Sequence, residues 1–136
     1  MRLSLLLCLL LVAVPIAVAT MLIIRRLPEL RREEEAQQKT FRAAAARVYQ
    51  AHVVPSNDPR FSFDPATATV VHEYEAFGRK RHPGHWFYWM ERIARNPSGE
   101  YFRIEYGTGS ISRFSHIEHR IAKIVLKDRY QPPESA

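Results

Sequence analysis

Residues 3–24 form an almost unbroken apolar run that carries no charge, and its only hydroxyls are Ser4 and Thr20. A bilayer core roughly 30 Å thick is crossed by about 20 helical residues, so the run predicts a transmembrane helix. It closes on Arg25 and Arg26, whose charges would have to leave the hydrocarbon. Leu27-Pro28 then predicts a break, because a residue before proline avoids the helical region. Pro28 suits the first turn of a new helix, and Glu29 is favourable near its positive end. Leu30, Gln37, Phe41, Ala44, Val48 and Ala51 recur at three- and four-residue spacing, opposite Arg32, Glu35, Lys39 and Arg42. This spacing predicts an amphipathic helix over residues 29–52. Its first turns, Arg31-Arg32-Glu33-Glu34-Glu35, are too polar to bury and predict a stalk. The small side chains of residues 43–46 would let it lie close to a sheet or a partner helix.

Past two proline-containing breakers (residues 55–59 and Asp64-Pro65) the pattern changes. Residues 67–77 are rich in β-branched and aromatic side chains and read as a strand. Residues 78–84 are a basic turn region, and residues 85–95 are strongly apolar and aromatic. Asn96-Pro97-Ser98-Gly99 is a turn. After it Phe102, Ile104 and Tyr106 alternate with Arg103 and Glu105, the period of a half-buried strand. The two runs flanking the turn predict an antiparallel hairpin. Residues 114–127 carry two signals. Phe114, Ile117, Ile121, Ile124 and Val125 fit helical spacing, with Ser115 and Glu118 placed as a capping box. Residues 120–126 fit a fourth strand by their β-branched content. The helix is the preferred of the two.

The predicted fold class is therefore α+β: an N-terminal transmembrane helix, an amphipathic helix packed on a small antiparallel sheet of three to four strands, and a C-terminal helix if residues 114–127 follow the first signal. The expected divisions are an anchor at 1–26, a stalk and amphipathic helix at 27–54, the β-rich part of one domain at 55–130, and a disordered tail at 131–136. Without the apolar run about 110 residues remain, room for one domain. Hydrophobic content of 46% and charged content of 25% predict that this remainder folds.

The same apolar run also resembles an export signal in layout. Met1-Arg2 is a short basic start, residues 3–14 an apolar core, and Ala17-Val18-Ala19 a small-x-small site, which would allow cleavage after Ala19. Against cleavage, Met21-Leu22-Ile23-Ile24 continues the run to spanning length, and an uncleaved anchor is the preferred expectation. Orientation has two opposed signals. Arg25, Arg26, Arg31, Arg32, Lys39 and Arg42 favour a cytoplasmic domain by the positive-inside rule, while the signal-like layout favours export to a periplasmic or extracellular side.

Net charge is +6, and the excess is mostly arginine. Arginine pairs with phosphate as a fork, so membrane lipid with anionic headgroups is an expected neighbour. The expected binding residues are Arg25, Arg26, Arg31 and Arg32 beside the anchor, and Arg79, Lys80, Arg81, His82 and Trp86 in the basic-aromatic stretch. Ordinary solvated loops and core aromatics explain that stretch as well, and nucleic acid is disfavoured because no RNA-binding signature is present. His82 with His85, and His116 with His119, are both H-x-x-H. On a helix the second pair would share a face and could offer a metal edge two ligands, although chance pairing among six histidines is the commoner origin. The single cysteine, Cys8, lies inside the apolar run, so no disulfide within the chain is expected.

Gly107-x-Gly109 lacks the third glycine of a dinucleotide loop. Glu73 and Glu75 fall on one strand face as a conceivable carboxylate pair, though solvated strand glutamates are far commoner. No nucleophile motif is present and no cofactor is expected. The expectation is a noncatalytic, single-pass accessory or interaction protein, a subunit or assembly factor with a protein partner in a membrane complex. The alternatives are a module binding anionic lipid or another polyanion, or an exported domain after cleavage.

Overall fold

The computed structural model describes residues 2–79, 85–108 and 111–133. Helix α1 runs without interruption over Arg2–Ala51, with Pro15 and Pro28 inside it. The break expected at Leu27-Pro28 is absent. An interior proline removes one backbone hydrogen bond and costs about 3 kcal/mol. The helix formers that follow, from Glu29 to Lys39, favour helix on the far side and carry it through.

The chain divides into two compact units, Met1–Lys39 and Thr40–Ala136. In the first, α1 is long and apolar enough to cross a membrane. Its apolar side chains are exposed throughout, from Leu5 at 66% to Ile24 at 60%. The Thr20 hydroxyl donates to the Ile16 carbonyl at 2.8 Å, so this polar group is satisfied within the helix.

The second unit holds a four-stranded antiparallel sheet in the order β1-β2-β3-β4. The strands are β1 (Thr69–Arg79), β2 (Trp86–Arg95), β3 (Tyr101–Gly107) and β4 (Ile111–Ile117), followed by α2 (His119–Leu126). The β2–β3 hairpin turns at Asn96–Gly99 as the sequence predicts, and Gly99 takes the φ of +88° that favours glycine there. One sheet face packs on the last turns of α1. Ala45 lies against Tyr88 and Met90, and Tyr49 joins Phe63, Ala94, Phe102 and Ile104. The buried seam of α1 thus runs through Ala45 and Tyr49, one residue beyond the expected Ala44 and Val48, and Ala51 is exposed. The other face is covered at one end by α2, where Ala122 and Leu126 pack on Ile93, Tyr101 and Ile117. Tyr101 is therefore buried, because this part of the sheet is covered on both sides.

Residues 114–127 resolve into both predicted states, with the boundary shifted. Phe114 and Ile117 belong to β4, the helix starts only at His119, and the fourth strand lies before residues 120–126. Ser115 is inside the strand, and Glu118 is the N-cap without a side-chain capping bond, so no capping box forms. The expected disordered tail is held at its start. The Tyr101 hydroxyl donates to the Gln131 carbonyl at 3.0 Å, and Arg95 donates to the Gln131 side chain and the Pro132 carbonyl.

Candidate functional site

In the first unit, Arg25, Arg26, Arg31 and Arg32 are all exposed on α1. At about 100° per residue, Arg25 and Arg32 fall nearly in line while Arg26 and Arg31 point to other sides. The four form a collar around the helix just past the apolar run. A collar suits headgroups that surround a helix on all sides better than one ligand on one face.

In the second unit, the basic-aromatic stretch is only partly described. Lys80, Arg81 and His82 lie outside the described residues, and so does Gly109. Arg79 is exposed and sits over the Trp86 ring, 4.7 Å from its centroid. Trp86 in turn stacks on Phe77 at 5.3 Å and 9°. Trp86 is thus packed between a cation and a phenyl ring on the α1 side of the sheet. His85 is exposed.

His116 and His119 do not share a helix face. His116 belongs to β4 and His119 opens α2. Both nevertheless reach Glu100, a residue that sequence reasoning did not single out. His116 Nε2 donates to Glu100 Oε2 at 2.9 Å, and His119 Nε2 lies 3.2 Å from the same oxygen. The other ring nitrogen of His119, Nδ1, is 3.1 Å from the Tyr130 hydroxyl. Burial alone would raise the Glu100 pKa. The hydrogen bond from His116, with the His119 ring beside the same oxygen, outweighs it and holds Glu100 below its ordinary value. The cluster ties the β2–β3 turn to the end of β4 and the start of α2. Among the described residues, no group of three or more His, Cys, Asp or Glu side chains is arranged to hold a metal ion.

Glu73 and Glu75 do share a face, but each has its own arginine. Arg92 donates to Glu73 at 2.8 Å, and Arg42 donates to both Glu75 oxygens at 2.7 and 2.8 Å. The Tyr88 hydroxyl also donates to Glu75, at 3.1 Å. Burial, reinforced by the adjacent carboxylate, pushes the Tyr88 hydroxyl far above its ordinary pKa. Two carboxylates neutralised in this way do not form an acid–base pair. Arg42 is exposed, as its place on the polar side of the helix predicts, and its side chain also reaches the edge strand.

A shallow cleft lined by Thr67, Thr69, Arg95, Asn96 and Gln131 sits at the hairpin end. Arg95 is committed there to the chain's own Gln131 and Pro132, so it offers a passing ligand little. No family model, curated protein or solved structure matches this chain.

Proposed function

We propose that this chain is a single-pass, membrane-anchored accessory protein whose small α+β domain serves as a subunit or assembly factor of a membrane complex. The observation that supports it best is the apolar surface of residues 3–24, exposed along its whole length with its Thr20 hydroxyl satisfied internally. Such a surface is costly in water and favourable in lipid. The arginine collar that follows fits the headgroup layer, and by the positive-inside rule it favours a cytoplasmic domain.

Purification of the full chain from membranes in mild detergent tests this reading. A stoichiometric second protein is the expected result, and a monodisperse chain that never acquires a partner protein contradicts it. The arginine collar also favours a second reading, recognition of anionic lipid. Flotation of the full chain cannot separate that from insertion, so the test compares lateral enrichment of anionic over neutral lipid around wild-type protein and a variant with Arg25, Arg26, Arg31 and Arg32 changed to Gln. Salt-sensitive enrichment lost in the variant supports it, and equal enrichment refutes it.

A further inference from the structure

Helix α2 buries one side only. Ala122 and Leu126 pack against the sheet, and at about 100° per residue Ile124 points almost directly away from both. Ile124 is 70% exposed, more than any large apolar side chain of the anchor except Leu3. Ile121, one turn before it, is 40% exposed. Beside this pair lie Arg120, Lys123 and Lys127, all exposed. They are spaced three and four residues apart and so form one basic row along the helix. No acidic residue lies within α2. Among the described residues, none of these three cations forms an ion pair.

Neither feature serves the domain's own fold. An isoleucine opposite the buried side of a helix gains nothing from the core. Like charges three and four residues apart on a helix repel one another. Lys123 and Lys127 suit the negative end of α2, but Arg120 sits in the first turn, where the positive end disfavours a cation.

We infer that this face of α2 docks an acidic segment of a partner protein. The segment sets an apolar side chain on Ile121 and Ile124 and turns Asp or Glu carboxylates to Arg120, Lys123 and Lys127. The inference deepens the proposed accessory role and rests on its protein partner, for which it names the surface and the chemistry.

Charge complementarity requires an anionic occupant: the cations steer the encounter, and the apolar pair gives it a centre from which water is excluded. Position favours a protein over the bilayer. The chain enters the second unit at Thr40, and Phe41 packs there against Phe77 and Tyr88. Helix α2 lies at the other end of the sheet, on Ile93, Tyr101 and Ile117, and on the face away from α1. A surface remote from the point where the chain arrives from its anchor is better placed for a protein than for headgroups.

Carbodiimide coupling of the full chain in the membranes of its source cells tests this, because the reagent joins a lysine amine to a carboxylate in contact with it. The chain has four lysines, Lys39, Lys80, Lys123 and Lys127, so peptide masses identify the coupled position. The expected product is the chain joined through Lys123 or Lys127 to an Asp or Glu of a second protein. Lys123→Arg with Lys127→Arg keeps both charges and removes both amines. It should lose the adduct while the partner still co-purifies in mild detergent. Ile124→Glu should lower the co-purified partner about tenfold or more, as loss of a docking centre does, and Arg120→Glu should act in the same direction. Phe87→Glu, at an exposed apolar site at the other end of β2 from Ile93, should leave it unchanged. Circular dichroism confirms the fold of each variant. A partner retained by folded Ile124→Glu, or coupled only through Lys39 or Lys80, overturns this inference and leaves the proposed function standing. An adduct with the mass of a lipid, or of two copies of this chain, also overturns it, in favour of the bilayer or of self-association. A protein coupled at Lys123 to a chain that washes off membranes would support the docking and overturn the anchored role.

Discussion

Arg42 and Glu75 meet as a fork on a carboxylate, with hydrogen bonds of 2.7 and 2.8 Å that join α1 to the edge strand. Side-chain exposure is 58% for the arginine and 17% for the glutamate, so the pair lies at the rim of the helix–sheet interface. Behind it Tyr88 is fully buried and donates its hydroxyl to the same carboxylate. Phe41, the residue beside Arg42, stacks on the Tyr88 ring at 5.3 Å. One turn of α1 therefore presents both an apolar ring and a cation to a single site on the sheet, which sets the register of helix on strand.

Glu75 should matter more than Arg42, because it is the acceptor for a buried hydroxyl. Glu75→Ala leaves the Tyr88 hydroxyl without its partner, and we expect a loss of about 1–3 kcal/mol in urea unfolding of the full chain in detergent. Tyr88→Phe removes the hydroxyl itself and should cost less, about 0.5–1.5 kcal/mol. The double variant should cost less than the sum of the two, because both act on one network. Strict additivity would show that the two groups act independently.

Asn96 is the one buried polar side chain among the described residues, 4% exposed. Its amide nitrogen lies within 2.9 to 3.3 Å of the Ser62, Arg60 and Pro59 carbonyls, and its oxygen accepts from the Glu100 amide at 2.9 Å. It thus ties the 59–62 segment to the hairpin turn. Asn96→Asp keeps the shape but turns a carboxylate oxygen towards three carbonyls. We expect it to lower the thermal midpoint more than Asn96→Ala at pH 7, and to recover part of the loss when the pH is lowered enough to protonate it. An aspartate variant as stable as wild type would contradict this role.

Glu100 gives a pH dependence of known sign. Its folded pKa is lowered from an ordinary value of 4.5 by the two histidines, against the opposing effect of burial. A carboxyl held low in the folded state stabilises it above the ordinary range, and that contribution is lost as pH falls through the lowered value. The thermal midpoint of wild type should therefore fall more steeply between about pH 5 and pH 3 than that of Glu100→Gln. Parallel curves would show that the His116 and His119 contacts contribute nothing to stability.

The parts of this fold written in local signals were legible from sequence. The apolar run, the hairpin with its glycine at φ +88°, and the alternation of Phe102 and Ile104 each depend on near neighbours. The misplacements arose where two local signals coincide. Phe114 and Ile117 satisfy a helical spacing while belonging to β4, because strand pairing with Ile104 and Tyr101 decides their state. Pro28 carried a break signal that the helix formers around it override. The Glu100 cluster was half visible. Both histidines stand out in the sequence, but the carboxylate that joins them lies 16 residues from His116 and becomes a neighbour only through the β3–β4 pairing. The reach of Arg42 to Glu75 is not legible, because helical periodicity orders residues around an axis without showing how far a long side chain extends over a rim.

The proposed function requires that residues 3–24 stay attached and hold the domain at a membrane. The intact mass of the full-length gene product, recovered from membranes washed at alkaline pH, tests it most directly. We expect the protein to remain in the pellet with a mass that includes residues 1–19. A product in the wash fraction that begins at Thr20 would contradict the claim.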